Sequence, residues 1–195
     1  MTSPLDGRLA EAIECLLFAT PEPLSLDRIA SILEVDEASA HRAIATLRLV
    51  YAGGRGIQMR QVAGGYQLVS HPDFGVYVTR LLSAPPSRLS RAALETLAII
   101  AYQQPITLPE IEAFRGVNSS GVVRTLSDRG LVHESGRRET AGRPALYVTT
   151  DEFLMHFGLK DLGDLPDLED LTPDAVATGP KPDDPAESDG SSEAA

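Results

Sequence analysis

The sequence predicts an α+β fold, mainly α, made of two tandem copies of one small domain followed by an acidic tail. Three observations predict it. The first is an internal repeat. "PLSLDRI" from Pro23 and "PITLPEI" from Pro105 share the order Pro, apolar, hydroxyl, Leu, two variable residues and Ile, at an offset of 82. Further on the offset is 79: Ala43, Ile44 and Leu47 match Val122, Val123 and Leu126, "QLVS" from Gln67 matches "LYVT" from Leu146, and Phe74 matches Phe153. An offset that shrinks by three is what a shorter loop in the second copy produces. The second observation is that helical periodicity gives way to strand alternation late in each copy. The third is charge. Of the net −11, the segment 160–195 carries −9 (11 Asp or Glu against 2 Lys), which leaves −2 for residues 1–159.

In the first copy, "LAEAIECLLFA" places Leu9, Ile13, Leu16 and Leu17 at helical spacing, and Pro21 and Pro23 end that helix. Ser25 is expected to cap a second helix, "LDRIASILE", by accepting a free first-turn N–H. Asp36 is expected to cap a third, "EASAHRAIATLRLVYA", with Ala40, Ala43, Ile44 and Leu47 inward, and Gly53, Gly54 and Gly56 break it. "GIQMRQV" and "GYQLVS" alternate as strands around Ala63-Gly64-Gly65, a hairpin signal, and "DFGVYVTRLLS" closes the unit as a helix.

The second copy repeats the plan. Ser90 caps "SRAALETLAIIAYQQ", Thr107 and Glu110 form a capping box for "LPEIEAFR", and Asn118 caps the third helix. "LVHESG" and "ALYVT" make the hairpin, and Thr149 with Glu152 caps the closing helix. Three helices and a hairpin make a winged helix, a relative of the helix-turn-helix. The expected boundaries are a domain at 1–83, a Pro-rich linker at 84–88 that favours an extended spacer, a second domain at 89–159, and a disordered tail at 160–195. The tail has no aromatic residue. Its "LGDLPDLEDL" either docks on a partner or stays a solvated acidic run.

Enzyme chemistry is hard to find. His41, His71, His133 and His156 fall in different elements and none has a metal-ligand spacing. "GGRGIQ" lacks the Lys-Ser or Lys-Thr of a phosphate loop and leads into a strand. Glu152 is accounted for as a cap residue. The single cysteine, Cys15, forms no internal disulfide and is expected to be buried. No run approaches the ~18 apolar residues of a membrane span, and the amphipathic N-terminus does not read as a signal peptide.

A helix and a basic hairpin raise the question of DNA. With Val122, Val123 and Leu126 inward, the third helix of the second copy is expected to expose Ser119, Ser120, Arg124, Ser127 and Asp128, a small and nearly neutral face. Its counterpart in the first copy begins Asp36-Glu37, which repels phosphate. Arg137, Arg138 and Arg143 in the second hairpin are diluted by Glu134 and Glu139. The basic footprint of a duplex reader is missing.

"LSRAALETLAIIAYQQPIT" from Leu89, "IEAFRGVNSSGVVRTLSDRGLV" from Ile111 and "GRPALYVTTDEFLMHFGL" from Gly142 resemble the bacterial segregation and condensation protein B family. "LAEAIECLLFATPEPLSLDRIASIL" is similar to that family's N-terminal domain, while the acidic tail matches no motif. The resemblance implies tandem winged helices without catalytic activity or cofactor, in the cytoplasm with the nucleoid. It implies a homodimer joined mainly through the N-terminal domains. It also implies that the C-terminal domain binds the kleisin, segregation and condensation protein A, and through it an SMC ATPase that organises and segregates chromosomes. No membrane contact and no tight direct DNA binding are expected. The competing reading is a winged-helix transcription regulator. Candidate partner-binding residues are Glu95, Tyr102, Arg137, Arg138 and Arg143, since Tyr and Arg most often anchor interfaces. Tyr102 serves either the core or a partner, and the arginines either a partner or a solvated turn. Leu5, Leu9, Ile13 and Leu16 are offered to a core or to the dimer.

Overall fold

A computed structural model describes residues 7–82 and 88–167 of the 195. Leu5, most of the expected linker and residues 168–195 lie outside them. The chain divides after Asp164 into two units, and everything below concerns the first. That unit is mainly helical, with two small antiparallel sheets, as expected.

Its first half runs α1 (Leu9–Ala19), α2 (Leu26–Leu33), α3 (Glu37–Tyr51), β1 (Ile57–Val62), β2 (Gly65–Ser70), a 3-10 turn (Pro72–Phe74) and α4 (Gly75–Leu82). Ile13 and Leu17 of α1, Ile29 of α2, and Ala40, Ala43, Ile44 and Leu47 of α3 meet in one core, which Tyr66 of β2 closes. The stretch that the periodicity marked as α3 carries the predicted inward set. Asp36 caps it, its carboxylate accepting the Ser39 N–H at 2.8 Å, and a negative group there also suits the helix dipole. Ser25 stands at the start of α2 but makes no cap bond, because its hydroxyl is turned to the Asp27 carboxylate.

The hairpin between β1 and β2 has a two-residue loop, Ala63-Gly64, with φ of 47° and 69°. Positive φ at both positions is the turn that matches strand twist. Gly65 follows for a different reason. Leu24, between α1 and α2, exchanges both main-chain hydrogen bonds with Tyr66 (2.9 and 2.8 Å), and a Cβ on Gly65 would stand 2.9 Å from the Leu24 carbonyl carbon.

The second half runs α5 (Arg91–Gln103), β3 (Ile106–Thr107), α6 (Leu108–Arg115), α7 (Ser120–Asp128), β4 (Val132–Arg137), β5 (Ala145–Thr149), α8 (Asp151–Phe157) and a 3-10 turn (Leu162–Asp164). Thr96, Leu97, Ile100, Ile111, Val123, Leu126, Val132 and Phe153 are buried. The sheet order is β3-β5-β4. Strand β3 is two residues long and was not expected from the sequence, because a pair of residues shows no period. It stands where Leu24 stands in the first half, between the first and second helices.

Several local expectations need correction. Thr150, not Thr149, caps α8, accepting the Phe153 N–H at 3.2 Å. Thr149 is occupied elsewhere: its N–H and hydroxyl both donate to the Gln104 side-chain oxygen, at 2.6 and 3.0 Å. Helix α7 begins one residue late, at Ser120, and Asn118 Oδ1 accepts the Ser120 N–H at 3.3 Å and its hydroxyl at 2.8 Å. Cys15 is exposed, because Ile13 and Leu17 turn inward and a residue between them points away. The tail does not begin at Lys160. Gly158, at φ 69°, ends α8, and the chain then lies along the tip of the first hairpin. There the Ala63 N–H donates to the Leu159 carbonyl at 3.0 Å and the Gly64 N–H to the Lys160 carbonyl at 2.8 Å. The Lys160 N–H in turn donates to Asp164 Oδ2 at 2.8 Å.

Gly65→Ala is expected to lower stability by about 1–3 kcal/mol, because backbone atoms must shift to admit the methyl. Gly121→Ala, on α7 with open space around it, is expected to raise stability by about 0.5–1 kcal/mol, and urea titration of both variants checks the opposite signs. A chain ending at Asp164 is expected to melt with the full-length protein, whereas one ending at Gly158 loses both bonds to the hairpin tip and melts lower by calorimetry.

Candidate partner-binding surface

Among the described residues no group of three or more His, Cys, Asp and Glu could hold a metal ion, and no helix is long and apolar enough to cross a membrane. The informative features are surfaces. Helix α7 buries Val123 and Leu126 and half-buries Val122. Ser120, Arg124 and Asp128 are exposed, and the last two pair at 4.0 Å, so this face is small and internally neutralised. Ser119, expected on that face, is fully buried. The turn between α6 and α7 folds it under. Its N–H donates to Glu112 Oε1 at 3.0 Å and its hydroxyl to the Val117 carbonyl at 3.1 Å, while Arg115 donates to its hydroxyl at 3.0 Å.

Helix α6 anchors two charge networks. At its end, Arg115 lies largely buried and reaches both Ser119 and Glu95 of α5, the latter at 3.4 Å. Arg91 donates to Glu95 at 3.0 Å one helical turn away. The Arg91 hydrogen bond, and then that of Arg115, hold the Glu95 carboxyl below the usual carboxylate range. Of the predicted residues, Glu95 is therefore an exposed but engaged charge, and Tyr102 is half-buried on the same helix. Leu94, Phe114 and Val117, at 45%, 62% and 54% exposure, flank this network in sequence and were not anticipated. The one sequence signal among them was the break at Gly116, which sets Val117 apart from the periodic run of α6.

At its start, α6 holds the hairpin. The Glu110 carboxylate accepts the Thr107 N–H at 2.9 Å and the Thr107 hydroxyl at 2.7 Å, and it also pairs with Arg138. Arg138 thus fastens the hairpin to the helix. Arg137 donates to the Arg143 carbonyl at 3.2 Å across the turn, where Arg143 sits at φ 41°. The three arginines share the hairpin but differ in use: Arg138 is tied inward, while Arg137 and Arg143 are exposed.

On α1, Ile13 is fully buried, and Leu9 and Leu16 are half-buried, so Ile13 serves the core and offers nothing to a second chain. Among the described residues of the first half, the most exposed large apolar side chains are Phe18, also on α1, Leu49, and Val76, Tyr77, Leu81 and Leu82 along α4.

Hydrogen bonds from Thr107, and then the Arg138 guanidinium, hold the Glu110 carboxyl below its ordinary value of 4.5. A carboxyl depressed on folding contributes stability at pH above its unfolded value, and that contribution is lost as pH falls through the folded one. Glu110→Gln is therefore expected to destabilise at neutral pH, by about 1 kcal/mol or less given its exposure. The gap from the parent should close as pH falls below 4.5, which thermal melts across an acid series check.

A family model described as segregation and condensation complex subunit ScpB matches residues 11–168. Segregation and condensation protein B of Moorella thermoacetica is 52% identical over 164 residues, covering 84% of each chain. That of Symbiobacterium thermophilum is 51% identical over 158 residues, covering 80% of this chain and 72% of its own. The crystal structure of ScpB from Mycobacterium tuberculosis is 34% identical, covers 78% of this chain and 96% of its own, and has a TM-score of 0.38.

Proposed function

The chain belongs to the segregation and condensation complex subunit ScpB family, and from that membership we infer that it is a non-catalytic adaptor of the bacterial SMC–kleisin complex. It acts in chromosome condensation and segregation. The observation that carries this reading is a family match running from α1 to past the last described helix, across both halves.

Within that role, each half is a winged-helix domain, while the acidic tail from residue 168 lies outside the described residues. Residues 1–83 form the N-terminal, dimerising domain, with Leu9 and Leu16 as the members of the α1 set still partly open to a partner. Residues 89–159 form the kleisin-binding domain, extended to Asp164 by the segment that returns to the first hairpin. The protein works in the cytoplasm, beside the nucleoid. The helix order and the hairpin in each half support the domain reading. The neutral α7 face and the acidic start of α3 favour a protein partner over duplex DNA, since a duplex reader places Lys and Arg along the phosphates.

Purified protein is expected to co-elute with the kleisin in size-exclusion chromatography, and to sediment alone as a dimer. Tight, steeply salt-dependent duplex binding without kleisin binding would instead make it a transcription regulator. Arg137→Glu with Arg143→Glu is expected to weaken kleisin binding about tenfold, roughly 1.4 kcal/mol, while changing stability by no more than about 0.5 kcal/mol. Arg138→Glu is expected to lower stability as well, since it leaves Glu110 facing a like charge. Calorimetric binding and melting curves on the same samples separate the two effects.

A further inference from the structure

We propose that the junction of the two halves holds a binding site for a small organic carboxylate, and that its occupant steadies the junction. A cavity of about 160 Å³ lies between the first hairpin and the end of α8. The register of the hairpin shows which side chains reach it. Met59 and Leu68 stand opposite one another and pack on the helical core. Side chains alternate along a strand. Gln58 and Arg60, with Val69 and Gln67 as their cross-strand partners, therefore share the other face with Val62. All five line the cavity, and so do Met155 of α8 and Gly158 at its end.

The donors on this face are unmet. Gln58 Nε2 is buried without a hydrogen-bond partner, and a buried amide donor calls for an acceptor. Arg60, two residues on, makes no ion pair or hydrogen bond among the described residues. Its Nη1 would stand 3.1 Å from a Cβ built on Gly158, so the guanidinium lies against the cavity and not away from it. No lining residue is a carboxylate. Two acids near the cavity in sequence have their own partners: Asp73 stands 3.5 Å from His71 Nδ1, and Asp161 3.5 Å from Lys160 Nζ. An unmet amide and an unmet guanidinium beside one hollow suit a carboxylate, which accepts through two oxygens. Val62, Val69 and Met155 give the hollow an apolar wall for a short hydrocarbon body, which an inorganic anion would leave unused. The volume suits an acid of a few carbon atoms and not a length of peptide. Because the walls come from both halves, an occupant adds contacts across a junction otherwise tied by the main-chain bonds of Ala63 and Gly64 to Leu159 and Lys160. This site lies apart from the kleisin surface proposed for the second half and does not depend on it.

The test uses the full chain, with sodium propionate as the probe and sodium chloride exchanged against it at constant ionic strength. In an NMR titration the Gln58 side-chain amide and the Val62 and Val69 methyl signals are expected to shift and saturate, with a Kd on the order of 1 mM. Binding is expected to weaken about tenfold in Arg60→Gln and severalfold in Gln58→Leu, with melting temperatures kept. The uncharged alcohol 1-propanol, with the same hydrocarbon body, is expected not to bind. Hydrogen exchange at the Ala63 and Gly64 amides is expected to slow severalfold when propionate is bound. The proposal is overturned if the shifts do not saturate, if inorganic phosphate reproduces them, or if both variants bind propionate as the parent does. It is also overturned if the two amides exchange at the same rate with and without the acid.

Discussion

The contact on which each half depends is made by main chain. In both halves the segment between the first and second helices runs beside the second strand of the hairpin and bonds to it. In the first half this is the Leu24–Tyr66 exchange; in the second it is β3 on β5. A hairpin alone is marginal in water, and three short helices do not fix where it goes. Tying the helical connection to the inner strand does so with groups that need partners in any case. Gly65 shows how tight that approach is, and it is why a glycine follows the hairpin turn as well as forming part of it.

The charges sit on top of that frame and do a different job. Helix α6 is eight residues long and carries Glu110, Glu112 and Arg115. Each fixes a different neighbour: the hairpin through Arg138, the buried Ser119 backbone, and α5 through Glu95. Exposed ion pairs contribute little to stability one by one. Their value here is geometric, since they settle the orientation of the surfaces a partner would meet. They also separate arginines that look alike in the sequence: Arg138 is part of the scaffold, and Arg137 and Arg143 are not.

Much of this was legible in the sequence. Periodicity placed the eight α-helices of the described residues within a few residues, and Asp36, Ser90 and the Thr107–Glu110 pair were found as caps because no second hydroxyl or amide side chain stands beside them ahead of the helix. Where two such groups are adjacent, as at Asn118-Ser119 and Thr149-Thr150, the sequence offers no means of choosing. The choice is made by distant partners, Gln104 for Thr149 and Glu112 for Ser119. The same limit hid strand β3, the Glu95–Arg115 pair and the place where the acidic tail begins. All are set by contacts between residues far apart in the chain, and periodicity carries no record of them. The family resemblance, read from stretches of both halves, was legible in full.

The return of Leu159 and Lys160 to the Ala63-Gly64 tip has a mechanical meaning. The covalent path from the first hairpin to the end of α8 runs through α4, the linker and the whole second half. The two hydrogen bonds at the tip make a short circuit across that path, with the Arg60 guanidinium close by Gly158. A load applied to the chain beyond Asp164 therefore arrives at the first hairpin without first stretching the second half. Those two bonds share that load with the covalent path through α8, and as hydrogen bonds they part first.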